Sequence, residues 1–332
     1  MKQLPIVDLS ASASARGAAD LAAEVDAACR ESGFFYVVGH GVAPDLVGRV
    51  EGNACDFFAR PETDKAKIAM RYGGRAWRGW FPLGGELTSG VPDVKEGLYF
   101  GEELTAEDPR VRAGLPLHGA NLFPAQPAGL RDAVLEYMRA VTDVGHALLR
   151  SISVALGLDD QWFDRHLTAS PTVLFRIFRY PAVTGGESWS VGEHTDYGLL
   201  TILAQDAVGG LEVRGPDGWV AAPPIPDAFV VNLGDMLERM TAGRYRSTPH
   251  RVRNTAGTDR ISFPLFLDPA WDAEVLPVPI APAHHGGPVE IDEPARWDGA
   301  SVHDWSGTYG DYLLAKVSKV FPDLVDDVLP IA

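Results

Sequence analysis

The chain has 332 residues, with 45 acidic against 29 basic side chains and a net charge of −16 at pH 7. No cluster of Lys or Arg offsets that charge, so phosphate backbones and anionic lipid are repelled and neither nucleic acid nor membrane is an expected partner. A hydrophobic content of 46%, with no apolar stretch long enough to span a bilayer and no signal core behind Met1, fits a soluble, cytoplasmic, globular protein able to bury a large core.

Cys29 and Cys55 have neither CxxC nor zinc-ligand spacing; both lie in helical stretches and are expected to be buried thiols in a reducing compartment. Pro5 to Leu9 predicts a short strand, and Ala15 to Ser32 an amphipathic helix with Leu21, Val25 and Ala28 on one stripe, closed by Gly33. The β-rich run Phe34 to Val38 ends in the turn Gly39-His40-Gly41, where His40 reads as structural rather than as a ligand. Helices are expected over 44–59 and 61–69. From Tyr72 to Gly101 the chain becomes a loop rich in glycine, aromatic rings and charge. Its Arg75, Trp77 and Trp80 are candidates for a lid against substrate; the alternative is a loop anchored by its rings to the outside of the domain. Asp93 to Gly97 then leads into a strand over Leu98 to Phe100.

Residues 127–156 carry the longest helical pattern, with Leu130, Val134, Tyr137, Val141, Ala147 and Leu148 on one face, and Gly157 ends it. Short apolar runs broken by Gly, Pro, Asp and Asn follow: Thr172–Tyr180, Ser188–His194, Leu199–Gln205, Leu211–Arg214, Trp219–Ala222, Phe229–Asn232, His250–Asn254, Arg260–Leu267 and Glu274–Val278. Such a set predicts an antiparallel double-sheet jelly roll. His284-His285 falls in a Pro/Gly-rich loop and reads as solvated, and a last helix over Tyr309 to Phe321 caps one end. The fold class is therefore α+β with a mainly β core. Its parts are a helical and strand region (1–120), a long support helix and connection (121–170), the β core (171–280) and a C-terminal loop with capping helix (281–332). With no linker or repeat between them, these parts form one unit.

His194 and Asp196 lie two apart at a strand end and so share a face. A distant third ligand would complete a two-His-one-carboxylate set, the open-sided arrangement that holds non-heme Fe(II), and His250 is the best candidate. Arg260 and Ser262 likewise place a guanidinium and a hydroxyl on one strand face, a geometry suited to holding a carboxylate.

This order of residues resembles the isopenicillin N synthase-like branch of the Fe(II)/2-oxoglutarate-dependent oxygenases, and the resemblance covers nearly the whole chain. Gly33 to Gly41 is similar to that family's N-terminal region, Arg179-Tyr180-Pro181 to its tyrosine-proline element, and Asn232 to Met236 with Gly243 to Val252 to the stretch that holds the distal histidine. The resemblance implies a double-stranded β-helix enclosing Fe(II), with His194, Asp196 and His250 as ligands. It further implies 2-oxoglutarate as co-substrate, its far carboxylate meeting Arg260, Ser262 and Tyr180, and O2 as the second co-substrate. No catalytic side chain beyond the metal ligands is required. The activity implied is oxidation of a small molecule, by hydroxylation, desaturation or cyclisation, with release of succinate and CO2. Plant members commonly carry Asn two residues before the tyrosine; here Phe178 stands there.

Strand parity extends the site. If Tyr180 points at the co-substrate, Arg176 and Phe178 share its face. A buried Arg176 then needs a carboxylate, either the substrate's or that of a nearby acid such as Glu187. Three rival readings stand beside the oxygenase: an Fe(II) oxidase of the same fold that dispenses with 2-oxoglutarate, a non-enzymatic metal- or ligand-binding barrel, and a zinc hydrolase, which lacks an identifiable general base beside the triad. The sequence carries no signal for oligomeric state.

Overall fold

The computed structural model describes residues 3–10, 15–88, 90–182, 189–280 and 301–321. In chain order the first half supplies β1 (Ile6–Asp8), α1 (Ala15–Glu31), β2 (Phe34–Val38), α2 (Pro44–Phe58), α3 (Glu62–Lys65), β3 (Gly79–Phe81), β4 (Leu87–Thr88), β5 (Val91–Pro92), β6 (Glu96–Gly101), α4 (Pro109–Arg112) and α5 (Leu130–Ala155). The second half supplies α6 (Trp162–His166), β7 (Thr172–Tyr180), β8 (Val191–His194), β9 (Leu200–Gln205), β10 (Leu211–Gly215), β11 (Gly218–Ala221), β12 (Phe229–Leu233), α7 (Asp235–Met240), β13 (His250–Val252), β14 (Arg260–Asp268) and α8 (Tyr309–Val320).

Strand β14 shows why the chain folds as it does. Its odd positions Ile261, Phe263, Leu265 and Leu267 are apolar and buried. They face the long helix α5, each contributing about 1.5–3 kcal/mol by leaving water. Gly145 of α5 allows this close approach, since a Cβ there would come within 2.5 Å of Leu267 Cδ2. The even positions Arg260, Ser262, Pro264, Phe266 and Asp268 line an internal cavity. The antiparallel neighbour β7 repeats the division, with Phe175 against Tyr137 of α5, ring centroids 5.1 Å apart, and Leu174, Arg176, Phe178 and Tyr180 on the cavity side.

The major sheet has eight strands in the order β1-β2-β12-β9-β14-β7-β6-β3, and the minor sheet four in the order β11-β10-β13-β8. Facing each other across the cavity, they form the jelly roll expected from the sequence. The strands expected at Pro5–Leu9, Phe34–Val38 and Leu98–Phe100 form as β1, β2 and β6, and together with β3, which falls in the expected loop, they extend the major sheet at its two ends. α1 and α2 pack on α5, which backs the sheet. A two-stranded hairpin of β4 and β5 forms a third sheet, whose β4 packs against β8 and α8. α8 opens with a capping box, Thr308 Oγ1 accepting from the Asp311 amide at 3.2 Å. Its Tyr309 hydroxyl donates to Asp268 at 2.5 Å and its Tyr312 hydroxyl to Asp235 at 2.8 Å. No helix among the described residues is long and apolar enough to cross a membrane.

Three local expectations need correction. Glu274–Val278 is not a strand; it makes a single bridge, Glu274 to Thr308. Pro277 and Pro279 remove the amide donors a ladder would need. The helix expected over 61–69 shortens to α3 followed by a 3-10 turn at Ala66–Ile68. Cys29 is buried as expected, but Cys55 is exposed, on the solvent side of α2. His284, His285, Glu187 and Ser188 lie outside the described residues.

Candidate active site

The ladder between the two minor-sheet strands β8 and β13 places His194 and His250 directly opposite each other. Their ring centroids are 4.2 Å apart. Asp196, just beyond β8, brings Oδ1 to 3.8 Å from the Nε2 of each histidine. One ligand atom from each of the three lies within 4.8 Å of the others. Each histidine gives its Nδ1 proton to a carbonyl, His194 to Gly192 at 2.9 Å and His250 to Thr248 at 3.3 Å. That fixes the tautomer whose Nε2 lone pair faces Asp196. Burial, aided by His194, pushes the His250 pKa down to about 4, so this ring is a neutral donor at physiological pH.

Asp196 is prepared from behind. Its Oδ2 accepts from Thr201 Oγ1 at 2.5 Å and from Asn232 Nδ2 at 2.7 Å, which leaves Oδ1 facing the histidines. Burial opposes ionisation of this carboxyl; His250 and His194, with the hydrogen bonds from Asn232 and Thr201, outweigh it and hold the pKa below the usual carboxylate range. Asn232 and Thr201 carry no role in the sequence reading. The signal was available, since a lone amide inside Phe229-Val-Val-Asn-Leu must find a partner when buried.

A second cluster lines the same cavity. Arg260 is paired with Tyr180 across the β14–β7 ladder, its guanidinium carbon 4.7 Å from the Tyr180 ring centroid. The Tyr180 hydroxyl and Ser262 Oγ are 3.2 Å apart. Arg260 has no solvent exposure; its Nη2 donates to Gln205 at 3.2 Å, while its Nε and Nη1 have no partner. A buried guanidinium with two idle donors is unfavourable unless an anion completes it. The idle donors of Arg260, with the hydroxyls of Ser262 and Tyr180 beside them, suit a carboxylate. The donor set of two imidazoles and a carboxylate likewise suits Fe(II) with open positions.

The remaining expected contacts divide. Arg176 and Phe178 line the cavity with Tyr180. Arg75, Trp77 and Trp80 do not. Arg75 is exposed, Trp77 packs on Phe321 with ring centroids 5.9 Å apart, and the Trp80 indole donates to Glu96 at 2.9 Å. For Trp80 the reason is parity: in β3 it is Phe81, next to Trp80, whose ring packs on Tyr99 and Phe178. The segment 72–101 still contributes to the site through residues the sequence reading missed, namely Glu86, Leu87, Thr88, Lys95 and Tyr99. On the remaining side Leu313, Val317, Val320 and Phe321, from α8 and the residue after it, complete the wall.

Comparison with known proteins agrees with this geometry. A family described as the 2OG-Fe(II) oxygenase superfamily matches residues 171–269, and one described as non-haem dioxygenase in morphine synthesis N-terminal matches residues 4–126. A probable iron/ascorbate oxidoreductase of Dictyostelium discoideum is 44% identical over 99% of this chain and 98% of its own length. A homoarginine-6-hydroxylase of Arabidopsis thaliana is 33% identical over 96% of this chain and 98% of its own. Among solved structures, a putative 2OG-Fe(II) oxygenase family protein from Caulobacter crescentus superposes with a TM-score of 0.78 at 26% identity, covering 96% of this chain and 99% of that one.

Proposed function

Because this chain belongs to the 2OG-Fe(II) oxygenase superfamily, we propose that it hydroxylates a small molecule, with 2-oxoglutarate converted to succinate and CO2. The enzyme is an Fe(II)- and 2-oxoglutarate-dependent oxidoreductase. When bound, Fe(II) with 2-oxoglutarate and O2 supplies the oxidising power to break a substrate C–H bond. The protein's own part is positioning. His194, Asp196 and His250 would hold the metal on one side, with Thr201 and Asn232 fixing the carboxylate that serves it. Arg260, Ser262 and Tyr180 would hold the far carboxylate of the co-substrate, and the apolar wall of α8 keeps water from the reacting end. Hydroxylation as the specific outcome is supported by the hydroxylase named among the relatives.

One observation carries this reading: a buried arginine with two unpartnered N–H donors shares its cavity with a metal-ready triad. The test is an anaerobic titration of the Fe(II) protein with 2-oxoglutarate, followed by the visible charge-transfer band of the chelate. The parent should develop a saturable band, His250→Ala none, and Arg260→Ala should need about 100-fold more co-substrate, in keeping with loss of a charge-assisted pair of about 3 kcal/mol. A parent that binds Fe(II) yet shows no band would sink the proposal in favour of an oxidase that works without 2-oxoglutarate.

A further inference from the structure

Arg176 and Tyr99 are register partners in the β6–β7 ladder, so their side chains leave the sheet on the same face. The Arg176 guanidinium carbon lies 3.5 Å from the Tyr99 ring centroid. Its Nη1 donates to the carbonyls of Phe100 and Phe175, both at 3.3 Å. Arg176 is only 8% exposed and lines the cavity. Guanidinium offers five donors in a planar fork, and these contacts occupy one nitrogen. Among the described residues no carboxylate lies within ion-pair distance of it; Asp268, on the same cavity wall, feels its charge but is held by the Tyr309 hydroxyl and the Leu199 amide. The two acids of the adjoining hairpin are already committed, Glu86 and Asp93 to Lys95 at 3.0 and 2.8 Å. Glu86 also accepts the Tyr99 hydroxyl at 2.5 Å.

From this geometry, and resting on the oxygenase reading above, we infer that Arg176 anchors a carboxylate of the substrate, which is therefore a small carboxylic acid. The clamp at Arg260 is a separate subsite. Arg260 stands opposite Tyr180, four residues along β7 from Arg176, which is about 13 Å of strand. The two arginines thus hold two different anions, one from the co-substrate and one from the substrate. Leu174, Phe178, Phe266, Val317 and Phe321 make the surrounding surface apolar, so the body of the acid is apolar as well. A phosphate dianion fits poorly, because Glu86 stands on the same wall and Lys95, the other cation lining the cavity there, is already paired with Glu86 and Asp93. Arg176 stacked on Tyr99 is a rigid, planar receptor for a single carboxylate.

The experiment uses the Fe(II)–2-oxoglutarate protein under nitrogen, with hexanoic, phenylacetic and 4-phenylbutyric acids as probes, each beside its primary amide. Binding is read from the perturbation of the charge-transfer band and, independently, by calorimetry. At least one acid is expected to bind about 100-fold more tightly than its amide. Arg176→Met should bring the acid down to the amide's affinity, Arg176→Lys should recover part of the loss, and both should leave the 2-oxoglutarate titration within two-fold of the parent. Failure of every acid to bind, equal affinity for acid and amide, or an Arg176→Met protein with unchanged acid affinity each overturns the inference. So does a larger effect of Arg176→Met on 2-oxoglutarate than on the acids, which would assign the residue to the co-substrate. If Arg176→Met does not fold, Arg176→Lys carries the test through an expected ten-fold loss of acid affinity. Absence of the band in the parent refutes the oxygenase reading instead, and calorimetry with the same probes still scores Arg176.

Discussion

Replacing Asn232 by Leu removes one hydrogen bond and little volume, at a position that is 2% exposed and enclosed by β2 and β9. The bond lost is a 2.7 Å donation to a buried carboxylate, and a hydrogen bond to a charged group contributes about 1.5–3 kcal/mol. With Thr201 Oγ1 still in place, Asp196 keeps one of its two supports and loses orientation. At about 1.4 kcal/mol per ten-fold, Fe(II) affinity should fall roughly 10- to 100-fold, the range expected for groups that orient metal ligands. Thr201→Val should produce a similar loss, and the double variant should depart from additivity because both groups act on one oxygen. The assay is competition for Fe(II) against a chromophoric chelator under nitrogen, with circular dichroism to show that each variant is folded. A folded Asn232→Leu protein that binds Fe(II) within two-fold of the parent, while His250→Ala loses it, would refute the claim that the amide prepares the ligand.

Two further outcomes concern Asp268 and the two cysteines. Burial pushes the Asp268 carboxyl up to about 7, despite donation from Tyr309 and from the Leu199 amide. The folded protein thus holds a proton that the unfolded chain releases near 4, so stability is lost as pH rises from about 4 to 7, by something on the order of 4 kcal/mol. Urea unfolding at pH 5 and pH 8 should show this slope in the parent and a much smaller one in Asp268→Asn; equal slopes would count against it. The cysteines should separate by exposure: native protein treated with iodoacetamide gains one adduct, at Cys55, and two only after denaturation, as read by intact mass. Rapid labelling of Cys29 in the native state would contradict the packing of α1.

What could be read in advance depended on period. The Arg260–Ser262 pair was legible because side chains two apart in a strand must share a face, and the same rule placed Arg176 and Phe178 on the cavity wall beside Tyr180. The triad was legible from residue type and order instead, since Asp196 lies just past the end of β8 and His250 opens β13. Trp77 and Trp80 were chosen for size in a segment without period, and the one-residue difference between Trp80 and Phe81 decides which ring turns toward Tyr99. The hairpin of β4 and β5 consists of two-residue strands, too short for any alternation to appear, so Glu86, Leu87 and Thr88 gave no warning that they reach the cavity. α8 was visible as a helix but not as a wall. Its orientation depends on two tyrosine hydroxyls finding Asp268 and Asp235, partners 41 and 77 residues away.

That attachment also sets an order of events during synthesis. Every other wall of the chamber is encoded before α8, and 41 positions separate Asp268 from the Tyr309 that fastens to it. At about 5–20 residues per second, a ribosome takes roughly 2–8 s to cross that interval. When that interval begins, His194, Asp196, His250 and Arg260 are already translated, but the wall that α8 supplies is not. Until α8 docks, Leu174, Phe178 and Phe266 lack the apolar partners that Leu313, Val317 and Phe321 give this chamber.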